Sequence, residues 1–122
     1  MDAIIVDTSS IVFAAGNGID VFAAILEQMP GTAIMVSRGV INELERLAGP
    51  GSKKGKAARL GLRILRAHRV DVLRDDGYVD SWIERESAGR KCWVCTNDRA
   101  LKGKLKGLGV RVASVSPKGI LR

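Results

Sequence analysis

Five short apolar runs rich in β-branched residues recur along the chain, and between them apolar positions fall at helical spacing. Ala3–Val6 (AIIV), Ala33–Val36 (AIMV), Val70–Leu73 (VDVL), Cys92–Cys95 (CWVC) and Val110–Val115 (VRVASV) read as strands. The first is apolar at every position, as a strand covered on both faces should be. Ser9–Ala15 predicts a short helix broken at Gly16-Asn17-Gly18. Asp20–Gln28 predicts a second, with Val21, Ala24, Ile25 and Gln28 in phase and Pro30-Gly31 as its stop. Ser37 is placed to cap a third helix running to about Ala48, with Val40, Ile41, Leu44 and Leu47 inward. Gly49–Lys56 (GPGSKKGK) has turn chemistry and predicts a loop. Ala57–Ala67 predicts a basic amphipathic helix burying Leu60, Ile64 and either Leu65 or Ala67. Gly77–Ala88 predicts another, with Val79, Trp82 and Ile83 inward, and Thr96 or Asn97 caps a last helix reaching about Gly107. Strands alternating with helices imply an α/β fold, a parallel sheet with helices on both faces. At 122 residues the chain suits one core, so residues 1–122 are expected to form a single domain.

Charge changes the picture from a fold to a surface. Twenty Lys and Arg against thirteen Asp and Glu give a net charge of +7. The cations are segregated: Arg46–Arg69 holds eight and no acid, and Arg90–Arg122 holds nine with one acid, Asp98. A basic face beside a separate acidic spot fits nucleic acid as a partner. Lys53, Lys54, Lys56 and Arg59 in the first stretch are candidate RNA contacts. In the second, Arg99, Lys102 and Lys106 fall on one helical face at about 100° per residue, with Leu101, Leu105 and Leu108 opposite.

Other chemistries are set aside by what the sequence lacks. Cys92 and Cys95 form C-x-x-C, but a spacing of three on a strand points the thiols to opposite faces, and there is no second cysteine pair. They are expected to be core thiols in a reducing cytoplasm. No signal peptide and no run of about 20 apolar residues is present, so no membrane partner is expected. Gly49–Ala57 only superficially resembles a phosphate loop, since Pro50 and Ala57 stand where that motif needs Gly and Ser or Thr. His68, the only histidine, reads as a dipole partner at a helix C-terminus.

The acids offer the remaining chemistry. Asp7 directly follows the first strand and Asp98 follows the fourth, and ligands of open α/β sheets bind beyond the carboxyl ends of strands. Glu43 borders the buried stripe of its helix, and Asp80 stands in the first turn of another. Four carboxylates in one pocket repel one another unless a cation intervenes, and an all-oxygen set suits Mg²⁺ or Mn²⁺. Taken singly, each acid has a plainer reading as a cap, a surface charge or a dipole partner. Asp75 and Asp76 read as turn or capping residues before Gly77, and Glu84, one turn from Asp80, ranks below the main four.

The order and context of these acids resemble the PIN domain family of metal-dependent ribonucleases. IIVDTSS resembles its first motif, VINELERL its second, GYVDSWI its third and CTNDRALKGKL its fourth, in the family's order from Ala3 to Val115. A closer likeness is to the PIN proteins that process small-subunit ribosomal RNA, whose K-C-Y-I-V-A-T-x-D-R-x-L-K run is similar to KCWVCTNDRALK here. Ser81 departs from them, standing where they often carry a second adjacent Asp.

The resemblance implies a three-layer α/β/α fold with strand order 3-2-1-4-5, and cleavage of RNA with Mg²⁺ or Mn²⁺ held by Asp7, Glu43, Asp80 and Asp98. Thr8, Ser9 and Thr96 would support the site, although Thr8 and Ser9 could equally cap the following helix. The expected partners are RNA, single-stranded or structured rRNA, with a second copy of the chain and an antitoxin or ribosome-assembly protein as further ones. The alternatives are a VapC-type toxin ribonuclease paired with an antitoxin, and a non-catalytic RNA-binding scaffold in a ribonucleoprotein assembly.

Overall fold

The computed structural model describes residues 2–122. The elements run β1 (Ala3–Val6), α1 (Thr8–Gly16), α2 (Val21–Gln28), β2 (Ala33–Ser37), α3 (Arg38–Leu47), α4 (Lys53–Arg66), β3 (Asp71–Leu73), α5 (Val79–Arg90), β4 (Trp93–Cys95), α6 (Arg99–Gly107) and β5 (Val112–Ala113). The strands form one parallel sheet in the order β3-β2-β1-β4-β5, as the resemblance implied. The register sets Ile5 beside Met35 on one side and Val94 on the other.

Strand periodicity divides the core in two. Ile4, Val6, Ile34, Val36 and Cys95 point to a layer built from α1 to α4. Ile5, Met35 and Val94 point to the opposite layer, with Trp82 and Ile83 of α5 and Leu101 and Leu105 of α6. The two thiols are free and buried, and they lie in different layers, as their spacing predicts. Burial pushes the Cys95 thiol up to about 11, so it remains a neutral core group.

The largest correction concerns α4. It begins at Lys53 inside the predicted loop, because Ser52 caps it: the Gly55 amide donates to Ser52 Oγ at 2.9 Å. Gly55 and Gly61 argue for a loop by propensity, but both serve close approach. A Cβ at Gly61 would stand 2.7 Å from Ile11, and one at Gly55 would stand 2.5 Å from the Gly49 carbonyl oxygen. The buried stripe is therefore Ala58, Gly61, Leu62 and Leu65, one i, i+3, i+4, i+7 set. Leu60, predicted inward, is 39% exposed.

The other differences are smaller. Asp98, rather than Thr96 or Asn97, caps α6, accepting from the Leu101 amide at 3.1 Å. Leu108 lies past the last turn and is exposed. The third strand starts at Asp71 and lies at the sheet edge, and the fifth spans only two residues before Val115 bridges Leu121. His68 pairs with Asp20, the N-cap of α2, with Nε2 2.6 Å from Oδ2. Among the described residues, no single helix is long and apolar enough to cross a membrane.

Candidate active site

Because β1 and β4 are neighbours, Asp7 and Asp98 leave the sheet side by side at its carboxyl edge. The Asp7 amide extends the ladder by donating to the Cys95 carbonyl at 2.9 Å. A cavity of about 510 Å³ opens there, lined by Asp7, Glu43, Asp80 and Asp98. The four acids thus share one cavity, each delivered by a different element: the end of β1, the middle of α3, the first turn of α5 and the cap of α6.

Asp7 is at the N-cap position of α1, yet its side chain caps nothing. Its Oδ2 instead accepts from Ser9 Oγ at 2.7 Å and from Thr96 Oγ1 at 2.8 Å. Each hydroxyl in turn accepts an amide from the chain after β4. Asn97 N donates to Ser9 Oγ at 3.0 Å, and Asp98 N donates to Thr96 Oγ1 at 3.1 Å. Two side chains therefore tie the Asp7 carboxylate to the segment that carries Asp98. Ser9 does not cap α1; its hydroxyl is engaged by Asp7 and the Asn97 amide instead.

Electrostatics follow from this crowding. Burial pushes the Asp7 carboxyl above its ordinary range, opposed by the bonds from Ser9, Thr96 and the Thr8 amide, with a smaller upward push from Glu43. Asp80 is raised too, first by desolvation and then by the charges of Asp7, Asp98, Glu43 and Glu84. Glu84 acts on Asp80 only through its field and does not line the cavity. Asp75 is structural, with Oδ2 accepting from the Gly39 amide at 2.5 Å and Oδ1 from the Gly77 amide at 2.8 Å. Asp76 accepts from the Tyr78 amide and pairs with Arg85. Ser81 is exposed, beside Asp80 in the first turn of α5.

The fit of this site to a divalent cation can be tested on two features. The donor set is all oxygen, with its carboxylates in mutual repulsion. The Thr8 hydroxyl, which also lines the cavity, is buried without a hydrogen-bond partner among the described residues, and an orphaned buried donor is unusual unless a ligand or water satisfies it. Among the described residues no three His, Cys, Asp or Glu side chains are gathered closely enough to hold one ion as they stand. The acids surround the cavity rather than forming a closed shell. An ion held there would take one or two of these carboxylates and complete its coordination with waters and phosphate oxygens.

Of the predicted RNA contacts, Lys54 lines the carboxylate cavity, whereas Lys53 and Lys56 line another about 310 Å³ in volume. Arg59 and Arg99 are exposed, as is Lys106. Lys102 is half-buried and tied, with Nζ donating to Ser114 Oγ at 3.0 Å. Val12, Phe13 and Leu47 supply apolar walls that the sequence did not single out. Asn97 was also missed as more than a cap. Its Oδ1 accepts from Ser10 Oγ at 2.7 Å and from the Val115 amide at 3.1 Å, and its Nδ2 donates to the Val115 carbonyl at 2.9 Å. Its place between Thr96 and Asp98 was the only signal.

The sequence profile of the PIN-like domain family matches residues 4–118. No curated protein matches the chain. Among solved structures, the PIN domain endonuclease Utp24 is 30% identical with a TM-score of 0.78, over 93% of this chain and 85% of that one. A domain of a functionally unknown protein from Methanocaldococcus jannaschii is 17% identical with a TM-score of 0.67, over 95% and 92% of the two chains. VapBC2 from Rickettsia felis, solved bound to a DNA fragment from its promoter, is 17% identical with a TM-score of 0.64, over 92% and 98%. The last two share the fold; with the family profile and the Utp24 identity, they accompany a plain conclusion, that this chain belongs to the PIN-like domain family, a family of nucleases.

Proposed function

We propose that this protein is a divalent-metal-dependent endoribonuclease. The observation that carries the reading is the single cavity of about 510 Å³ lined by Asp7, Glu43, Asp80 and Asp98. Those four carboxylates would hold Mg²⁺ or Mn²⁺. When bound, the ion supplies charge stabilisation at phosphodiester oxygens and lowers the pKa of water. The chain's own residues do the rest. Ser9 and Thr96 fix the orientation of the Asp7 carboxylate through Oδ2. Asp98 is held by its capping bond to Leu101. The Thr8 hydroxyl, unpartnered among the described residues, would donate to a ligand oxygen. Lys54 is the one cation lining the cavity among the described residues and neutralises the phosphate brought to it.

Ribosomal RNA of the small subunit is the proposed substrate class. The KCWVCTNDRALK run, the basic helix after the second motif and the 30% identity to a PIN domain endonuclease support it. The toxin reading has fold likeness alone behind it, at 17% identity. A cytoplasmic location is proposed on the reduced, buried thiols.

The test is incubation of the pure protein with labelled single-stranded RNA, a circular RNA and DNA of the same sequence, with Mg²⁺, Mn²⁺ or chelator. Opening of the circular RNA only with metal is the expected result. Intact RNA under all conditions, with metal binding to the folded chain verified, favours the scaffold reading.

A further inference from the structure

We propose that the second cavity on α1 and α4, about 310 Å³ and walled by Ala15, Gly16, Ala57 and Leu60 with Lys53 and Lys56, is a subsite for one nucleotide of the RNA, adjoining the bond that is cut. The inference rests on the ribonuclease reading of the carboxylate cavity. Both cavities take wall residues from α1 and α4. Val12 and Phe13 of α1 line the first, and Ala15 and Gly16 line the second, three residues or about 4.5 Å further along the axis. On α4 the first turn divides them: Lys54 goes to the carboxylates, Lys53 and Lys56 to the other side.

The two walls select different chemistry. The second cavity has no acid, so it recruits no divalent ion. Its cations form no ion pair among the described residues, which leaves them available to an anion. The remaining wall is apolar and small. Leu60 contributes to it while off the stripe that packs α4 onto the core, so burial does not explain a leucine there. A ligand with an anionic group and an apolar flat body fits, and the volume is at the lower end of small-ligand pockets, about 300–1,000 Å³. A nucleotide has both parts. The short offset along α1 from the carboxylate cavity favours one belonging to the same strand: phosphate toward Lys53 and Lys56, base over Ala57 and Leu60.

The experiment uses the full chain labelled with ¹⁵N. Adenosine 5′-monophosphate is expected to shift the Gly16 and Ala57 amides saturably, and inorganic phosphate to shift them much less. Equal shifts from phosphate alone, or none from the nucleotide, would overturn the subsite. In parallel, anisotropy of a labelled single-stranded oligoribonucleotide in Ca²⁺ compares wild type with L60S and with K53A/K56A. L60S, at a half-exposed position that tolerates the change, is expected to weaken binding several-fold through loss of apolar contact with the base. The lysine pair is expected to lower the salt slope by about 0.7 per lysine. Unchanged oligonucleotide affinity in L60S overturns the base site. Mn²⁺ line broadening at Thr8 and Asp98 reports the carboxylate cavity separately, so a failure there counts against the nuclease reading and not the subsite.

Discussion

The Thr96 hydroxyl donates to Asp7 Oδ2 at 2.8 Å, joining the ends of two adjacent parallel strands through a side chain rather than the backbone. Ser9 Oγ reaches the same oxygen at 2.7 Å. With both protons committed to Asp7, the two hydroxyls act on one carboxylate and should be coupled. Thr96→Val, nearly isosteric at a fully buried site, is expected to cost about 1–3 kcal/mol by leaving the Asp98 amide and Asp7 short of a partner. A double-mutant cycle with Ser9→Ala, read by urea unfolding, is expected to show coupling of at least about 0.5 kcal/mol. Strict additivity would mean that the two bonds are independent.

Thr8 makes the opposite prediction. Its hydroxyl is buried and unpartnered among the described residues. Thr8→Val removes an unsatisfied group without changing shape, so the metal-free protein should become more stable by about 1 kcal/mol. RNA cleavage should fall at the same time, because the proposed function gives that hydroxyl to the ligand. Denaturant unfolding and initial rates on the same preparation check both. A variant that is less stable and fully active would place the Thr8 hydroxyl outside the site.

Desolvation and carboxylate repulsion together set a pH dependence. Asp80 is raised above its ordinary 3.8, chiefly by desolvation and then by Asp7, Asp98, Glu43 and Glu84. The folded state therefore holds the Asp80 proton more tightly than the unfolded chain. Its contribution is fully present below the ordinary value and is lost as pH rises through the folded one. Asp80→Asn is expected to raise the urea midpoint of metal-free protein at pH 7, with the advantage vanishing at about pH 3. Mn²⁺ should reverse the order at pH 7, stabilising wild type by about 2.7 kcal/mol at 100 times its dissociation constant and the variant less. Equal stabilisation of both by Mn²⁺ would put the ion elsewhere.

The sequence disclosed the sheet and its acids because both depend on local rules. An unbroken apolar run such as Ala3–Val6 has few uses besides a central strand, and a carboxylate directly after one falls at the carboxyl edge. It disclosed less where a tertiary contact outweighs propensity. Gly55 and Gly61 look like helix breakers until α1 and Gly49 are seen to need the space of their missing side chains. The same error moved the inward face of α4 and hid Leu60. Asp98 was recognised as an acid of the site but not as the cap of α6, since Thr96, Asn97 and Asp98 are all good capping residues in a row. Lys102 looked as free as Arg99, because Ser114 reaches it from twelve residues away.

That tie separates the basic residues of α6. Arg99 and Lys106 are exposed, whereas Lys102 spends a donor on Ser114. Arg99→Ala with Lys106→Ala is expected to weaken binding of all RNA sequences alike and to lower the salt slope by about 0.7 per contact. Lys102→Ala should instead destabilise the fold modestly, with a smaller change in slope. Titrations from low to moderate salt in Ca²⁺, alongside thermal melts, distinguish them. A sequence-selective loss of affinity would contradict phosphate contact.

The most direct test of the carboxylate site is Asp98→Asn. Asparagine keeps the shape and remains a good N-cap, so α6 and the fold should persist; Asp98→Ala should cost about 1 kcal/mol by losing the bond to Leu101. With single-stranded RNA and Mn²⁺, the wild type is expected to cleave and Asp98→Asn to lose about 100-fold or more in rate, with its circular dichroism and melting profile retained. Cleavage by the folded Asp98→Asn protein at the wild-type rate, in two independent preparations, would contradict the account.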